Sequence, residues 1–125
     1  MSLTQNPFLL LLILISVLFS AVAQLLLKMG VAAVPKAQGV VPVLIGYATT
    51  PAVIGGFALY GLGAVLWLFV LARLPLSAAY PFVGLGFIAT MLIGFTILGE
   101  PLSWERVAGT LLIAVGCVLV ARSVG

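Results

Sequence analysis

The sequence predicts an all-α membrane protein with four transmembrane helices in a single domain. Of its 125 residues, 65% are apolar and only 6% are charged, whereas an ordinary water-soluble domain carries about 25% charged residues. Charged side chains are absent from four stretches, each of which holds or nearly completes a membrane-spanning helix of about 20 residues. These stretches are Met1–Leu27, Ala37–Ala72, Leu74–Gly99 and Val107–Ala121. Four spans use most of the chain, so no separate soluble domain is expected.

The first span is predicted over residues 7–29. Proline is favoured at the start of a helix, which suits Pro7, and Gly30 is expected to end the helix. Lys28 then lies near a membrane surface, where a long cationic side chain reaches the headgroups. The apolar run Phe8–Phe19 is also similar to the core of a signal peptide, but the basic segment that precedes such a core is missing. A membrane span is therefore the favoured interpretation.

Residues 31–50 form the predicted connection to the second span. Pro35, Gly39 and Pro42 argue against one continuous helix here. The segment is nevertheless apolar, so we expect an irregular or interfacial connection rather than a hydrated loop.

The remaining spans are predicted over residues 51–73, 78–99 and 103–122. Ser77 and Ser103 are the expected N-caps of the third and fourth spans, because a serine hydroxyl accepts a hydrogen bond from the first helical turn. An even number of spans places both termini on the same side of the membrane.

The composition excludes several classes of function. The chain has no histidine, two acidic residues and one cysteine, Cys117, so a zinc site, a Cys-His pair or a Ser-His-Asp triad is not expected. The net charge of +3 comes from scattered cations rather than from the basic face of a nucleic-acid-binding protein. We therefore expect no enzyme activity, no cofactor, no metal and no nucleic-acid partner.

A polar stripe along the first span is the most informative pattern. Its four side chains recur at every fourth residue and so share one helix face: Ser16, Ser20, Gln24 and Lys28. Polar groups in hydrocarbon are costly unless they face a partner helix or a water-filled cavity. The serines alone would suit helix packing, but an amide beside an ammonium offers donors to a phosphate or a sugar. We expect the stripe to line a cavity.

Two aromatic residues of the second span share a face with glycines. Tyr60 and Trp67 are positioned to flank a ligand, and Gly56 and Gly63 permit close helix contact. Core packing for Tyr60 and interfacial anchoring for Trp67 fit the pattern equally well.

The third span begins with residues that weaken a helix. Pro81, Gly84 and Gly86 follow Tyr80 closely, and such a concentration bends or loosens a transmembrane helix. Interrupted spans mark moving parts in transporters, so a hinge is one hypothesis and helix packing is the other.

Glu100 and two glycines of the fourth span have structural interpretations. Glu100 is expected to form an ion pair, with Arg106 or with Lys28, rather than to carry protons, because it lies at a helix end near water. Gly109 and Gly116 are seven residues apart on one face, which favours close contact with another helix and indicates dimerisation.

These motifs together resemble the small multidrug resistance family of the drug/metabolite transporter superfamily. The similar stretches are Ala23–Lys28, Leu76–Tyr80 and Leu98–Ser103, and the spacing of Gly109 and Gly116 is similar to that family's dimer motif. The resemblance implies a dimer of four-helix protomers that transports its substrate by alternating access.

The sequence departs from the drug exporters of that family at one central position. The exporters use a glutamate eight residues before the position of Lys28, where this chain has Ser20. The stretches Ser20–Lys28, Val65–Leu68 and Ala79–Pro81 are more similar to flippase subunits for undecaprenyl phosphate-linked aminoarabinose. That resemblance implies a lipid-linked substrate, a bacterial inner membrane and a homodimer or a heterodimer with a similar small subunit.

The resemblance also implies roles for individual residues. Lys28 would attract the phosphate of a polyprenyl phosphate-linked sugar, Gln24 and Ser20 would bind its polar head, and Tyr80 and Trp67 would flank the sugar. Two alternatives remain: a small exporter of amphipathic cations or metabolites, and a non-transporting accessory subunit. The first lacks a buried acid to balance a cation inside the membrane.

Overall fold

A computed structural model describes residues 6–36 and 39–123, and all regular secondary structure within these ranges is helical. The elements are α1 (Pro7–Ala32), α2 (Val40–Thr49), α3 (Pro51–Leu71), α4 (Leu76–Ala79), a 3-10 helix (Tyr80–Val83), α5 (Gly84–Thr96) and α6 (Trp104–Ser123). Four helical segments of the described chain are long and apolar enough to cross a membrane: α1, α3, the segment from α4 through α5, and α6. The all-α fold with four candidate membrane-spanning helices is therefore confirmed, and the chain is a multi-pass membrane protein. The placement of both termini on one side stays a prediction.

Helix α1 begins where the sequence predicts and ends later. The side chain of Asn6 caps it by accepting a hydrogen bond of 3.1 Å from the backbone N–H of Leu9. The predicted end at residue 29 is wrong, because α1 continues to Ala32. Gly30 is buried against α3, where an added Cβ would lie only 2.5 Å from Cγ2 of Val53. This glycine therefore permits close helix contact instead of ending the helix.

The connection between the first two spans is more regular than expected. Helix α2 occupies half of residues 31–50, so this part of the connection, expected to be irregular or interfacial, is helical. Gly39 has a positive φ of 92° and turns the chain into the helix. Pro42 lies in the first turn of α2, where the missing N–H has no intrahelical partner to lose. None of the residues of α2 is buried, and its interfacial position stays a prediction.

The third span is divided into three helical pieces. Pro75, not Ser77, occupies the N-cap position of α4, and Ser77 makes no capping hydrogen bond. The predicted Ser77 cap is thus wrong, because the extended backbone that Pro75 favours starts the helix earlier. Pro81 has no backbone N–H to complete an α-turn, and the chain forms the 3-10 helix around it.

The third span also ends earlier than predicted, and the fourth begins as expected. Helix α5 ends at Thr96, and Gly99, with a positive φ of 68°, turns the chain toward α6. The hydroxyl of Ser103 accepts a hydrogen bond of 3.1 Å from the backbone N–H of Arg106. Ser103 is therefore the N-terminal cap that the sequence predicts.

Helices α1, α3 and α5 form the centre of the protomer. Helix α1 packs along α3 and also contacts α5, whereas α6 packs mainly on α5. The buried core consists of Leu9, Ile13, Val17, Val70, Leu74, Ala79 and Phe82. Helix α6 buries only Thr110 and Cys117, so most of its surface is free within one protomer.

Candidate substrate-binding cleft

The polar stripe of α1 lines a cleft between α1, α3 and α5. The cleft has two compartments of about 430 Å³ and about 250 Å³. We name the larger one the charged compartment and the smaller one the aromatic compartment, after their characteristic side chains. The two compartments share four lining residues: Ser20, Tyr60, Val83 and Gly86. The two compartments of the cleft are therefore adjacent.

The charged compartment holds both signs of charge. Lys28 and Gln24 line it from α1, and Thr90 lines it from α5. Glu100, beyond the end of α5, lines the same space. Among the described side chains no ion pair with a nitrogen–oxygen distance within 4.0 Å occurs, so Lys28 and Glu100 face one cavity without direct contact. Each charge remains available to a ligand.

The position of Glu100 follows from the turn after α5. The backbone N–H of Glu100 donates to the carbonyl of Gly94 at 2.9 Å, which holds the turn against the helix. An added Cβ at Gly94 would lie 2.5 Å from Oε2 of Glu100, so the glycine makes room for the carboxylate. The Glu100–Arg106 ion pair expected from the sequence is not formed. The guanidinium of Arg106 donates instead to the carbonyl of Pro101 at 2.6 Å.

The aromatic compartment contains a buried hydroxyl. Trp67, Tyr60 and Tyr80 line it together with Ser16. Ser16 is only 4% exposed, and its Oγ has no hydrogen-bond partner in the described part of the chain. In contrast, the hydroxyl of Thr90 donates to the carbonyl of Gly86 at 2.9 Å. A buried hydroxyl without a partner is costly, so Ser16 is a candidate contact for a polar ligand group.

Close packing of α1 and α3 positions the stripe. An added Cβ at Gly63 would lie 3.3 Å from Cβ of Phe19 and 3.4 Å from the carbonyl oxygen of Ser16. At Gly56 it would lie 2.9 Å from Cδ2 of Leu27. Both glycines bring α3 against α1, which places Tyr60 beside the stripe.

The structure brings all the predicted substrate-binding residues to one cleft. The residues in question line one or both compartments: Ser16, Ser20, Gln24, Lys28, Tyr60, Trp67 and Tyr80. Sequence reasoning missed Thr90 and assigned Glu100 to an ion pair. The spacing of Gly86, Thr90 and Gly94 on one face of α5 is a sequence signal that was available for Thr90.

The predicted hinge residues surround the interruption of the third span. Pro81 belongs to the 3-10 helix, and Gly86 lines both compartments. Gly84 is buried against α6, where an added Cβ would lie 2.7 Å from Sγ of Cys117. The hinge stays a prediction, with its residues located between the cleft and α6.

The glycines assigned to dimerisation leave free space on α6. An added Cβ at Gly109 or Gly116 would meet no described atom within 4 Å. These glycines therefore serve no close contact within the protomer. Their role in a dimer stays a prediction.

Known bacterial proteins of similar sequence include probable flippase subunits and an uncharacterized protein. The chain is 36% identical over an alignment of 131 positions, gaps included, to the probable 4-amino-4-deoxy-L-arabinose-phosphoundecaprenol flippase subunit ArnF of Shewanella sediminis, with 89% of this chain and 86% of the relative covered. It is 32% identical over 104 residues to the uncharacterized protein y4nH of Sinorhizobium fredii, with 82% and 86% covered. The probable subunit ArnE of Pseudomonas aeruginosa is 40% identical over 63 residues, which cover 50% of this chain and 55% of the relative.

No family model and no solved structure matches the chain. The relatives with a functional name are flippase subunits, which are transporters rather than enzymes.

Proposed function

Because the chain belongs to the family of 4-amino-4-deoxy-L-arabinose-phosphoundecaprenol flippase subunits, we propose that it moves a polyprenyl phosphate-linked aminosugar across a bacterial inner membrane. The observation that carries the proposal is the alignment of the polar stripe along one cleft of an otherwise apolar bundle. Such a cargo has a polar head that needs a passage and a long tail that can remain in hydrocarbon.

The dimensions and chemistry of the cleft suit this headgroup. The charged compartment, of about 430 Å³, is in the size range of small-molecule sites, and the aromatic compartment of about 250 Å³ adjoins it. Lys28 binds the phosphate through a charge-assisted hydrogen bond, and Gln24 and Ser20 bind polar groups of the head. Trp67 and Tyr80 pack against the sugar ring in the aromatic compartment.

A second subunit completes the cleft in this proposal. Gln24 and Lys28 line the cleft yet are exposed in the isolated protomer, so one copy does not enclose the headgroup. Relatives are named as separate ArnE and ArnF subunits, which supports a similar small subunit as the partner. Gly109 and Gly116 on α6 provide the close contact, as a homodimer or as a heterodimer.

Alternating access requires a part of the protomer that moves. The 3-10 helix around Pro81 interrupts the third span beside the cleft. Gly84 and Gly86 follow directly, so the hinge lies where a change in α5 opens or closes the compartments. In this proposal the transporter is a dimer of four-helix protomers, as in the small multidrug resistance family that the sequence resembles.

Export of an amphipathic cation is a second candidate function, because Glu100 places a carboxylate in the charged compartment. This function predicts that a quaternary ammonium amphiphile binds and that Lys28 is dispensable. Transport of a lipid-linked sugar phosphate predicts instead that Lys28 is required.

Translocation in proteoliposomes tests the proposed function. The purified chain, with any companion subunit that co-purifies, is reconstituted with undecaprenyl phosphate-linked 4-aminoarabinose, and a membrane-impermeant amine reagent measures the lipid that reaches the outer leaflet. We expect Lys28→Met to slow the transfer by about tenfold or more, because a charge-assisted bond to the phosphate is lost.

Lys36→Met is the matched control. Lys36 is exposed and lies outside both compartments, so this variant should transfer lipid at the wild-type rate. Equal rates for Lys28→Met and wild type would contradict the proposal.

A further inference from the structure

Within the described part of the chain, the carboxylate of Glu100 forms no hydrogen bond and no ion pair. Ser103 already caps α6, and Arg106 is bonded to the carbonyl of Pro101. The backbone N–H of Glu100, not its side chain, ties the turn to Gly94. The negative charge is nevertheless brought to the cleft wall.

Gly94 shows that this placement depends on a close approach. The residue is buried, and an added Cβ would lie within 2.5 Å of Oε2 and 3.2 Å of Cδ of Glu100. A side chain at position 94 would require the flexible carboxylate end of Glu100 to shift. The carboxylate of Glu100 thus packs closely against Gly94 of α5.

Two opposite charges that share a cavity without forming an ion pair match a zwitterionic ligand. Lys28 supplies the positive charge of the charged compartment and Glu100 the negative charge. The phosphate of the proposed cargo compensates Lys28 alone. A cationic amine on the sugar then needs its own counter-charge, because an unpaired charge is costly inside a membrane protein.

We infer that Glu100 is the counter-ion for the amine of the headgroup, and that it makes the cleft selective for a lipid-linked sugar phosphate that carries a free amine. This inference rests on the proposed function. Thr90 lines the same compartment, and its hydroxyl oxygen has lone pairs that can accept a second hydrogen bond from the ammonium. Acylation of the amine removes the charge and with it the interaction.

Equilibrium binding to the protein in lipid nanodiscs tests the inference. Two radiolabelled probes are compared: undecaprenyl phosphate-linked 4-aminoarabinose with a free amine, and the same lipid after N-acetylation. We expect wild type to bind the free amine at least about tenfold more tightly, since a charge-assisted bond is exchanged for a neutral contact.

Glu100→Gln should abolish this preference and leave the affinity for the acetylated lipid unchanged. Glu105→Gln is the matched control, because Glu105 is exposed and lies outside both compartments. It should retain the wild-type preference. A Glu100→Gln variant that still prefers the free amine would overturn the inference.

The outcomes separate the inference from the proposed function. Equal binding of both lipids by wild type, with translocation intact, would overturn only the role of Glu100. Failure of wild type to bind or move either lipid would overturn the proposed function and the inference with it. If Glu100→Gln bound neither lipid, the carboxylate would be needed for the folded structure rather than for amine recognition, and the inference would be overturned. A lowered melting temperature of the variant would show this loss of stability.

Discussion

The thiol of Cys117 in α6 donates a hydrogen bond to the carbonyl oxygen of Pro81 across 2.7 Å. This bond joins α6 to the 3-10 helix that interrupts the third span. Gly84 allows the two segments to approach, since a side chain there would overlap Cys117 and Ile113. The interrupted segment thus contacts the cleft on one side and α6 on the other.

Gly84→Ala should destabilise the protomer by about 1–3 kcal/mol, because an added methyl group overpacks the contact with α6. An added Cβ would lie 2.7 Å from both Sγ of Cys117 and Cγ2 of Ile113. Thermal unfolding in detergent measures the loss. Cys117→Ala introduced into the same variant should restore at least about 0.5 kcal/mol, because the two sites are coupled. Strict additivity of the two substitutions would refute this packing.

Pro81→Ala should slow translocation by about tenfold while binding stays at the wild-type level. The substitution restores a backbone N–H and favours a continuous helix, which opposes the proposed hinge. Single-turnover transfer in proteoliposomes and equilibrium binding provide the two readouts. Pro42→Ala in α2 is the control and should change neither, because Pro42 lies outside both compartments. A Pro81→Ala variant that transfers lipid at the wild-type rate would contradict the hinge hypothesis.

Ser16→Ala should weaken ligand binding about three- to tenfold without loss of stability. The hydroxyl is buried and has no partner among residues 6–36 and 39–123, so its removal eliminates a desolvation cost of about 1 kcal/mol. Thr110→Val is the control, because Thr110 is also buried but donates to the carbonyl of Arg106 at 2.8 Å and does not line the cleft. A destabilised Ser16→Ala protein with unchanged affinity would contradict the assigned role.

Gly116→Leu should weaken subunit association by about tenfold or more and leave the protomer folded. A side chain at this position has free space within the protomer, so it obstructs only a contact with a partner. Energy transfer between labelled subunits in liposomes measures the association. Gly61→Leu in α3 has equally free space and should associate normally. Undiminished association of Gly116→Leu would place the dimer interface elsewhere.

The four spans and the polar stripe were predictable because both depend on local sequence. Charge-free stretches of sufficient length and a four-residue repeat need no knowledge of tertiary contacts. The caps at Asn6 and Ser103 are equally local features, although only Ser103 was predicted. In contrast, the role of Gly30 depends on Val53, which is distant in sequence, so the helix end was misplaced.

The place of Glu100 in the cleft was missed from the sequence because it depends on how the turn after α5 packs against that helix. Glu100 reaches the charged compartment because Gly99 turns the chain and Gly94 leaves space for the carboxylate. An ion pair with Arg106 looked equally suitable in sequence, since the two residues lie six positions apart. The carbonyl of Pro101 takes the guanidinium instead, and only the three-dimensional turn determines that choice.

The fluorescence of Trp67 provides the most direct test of the claim that the cleft binds an anionic headgroup. Trp104 is 88% exposed, so Trp104→Phe leaves Trp67, in the aromatic compartment, as the single reporter. Titration with undecaprenyl phosphate-linked aminoarabinose should give a saturable change that Lys28→Met weakens about tenfold, and a quaternary ammonium amphiphile of similar length should give none. A response to the ammonium alone, or an unchanged affinity in Lys28→Met, would contradict the account.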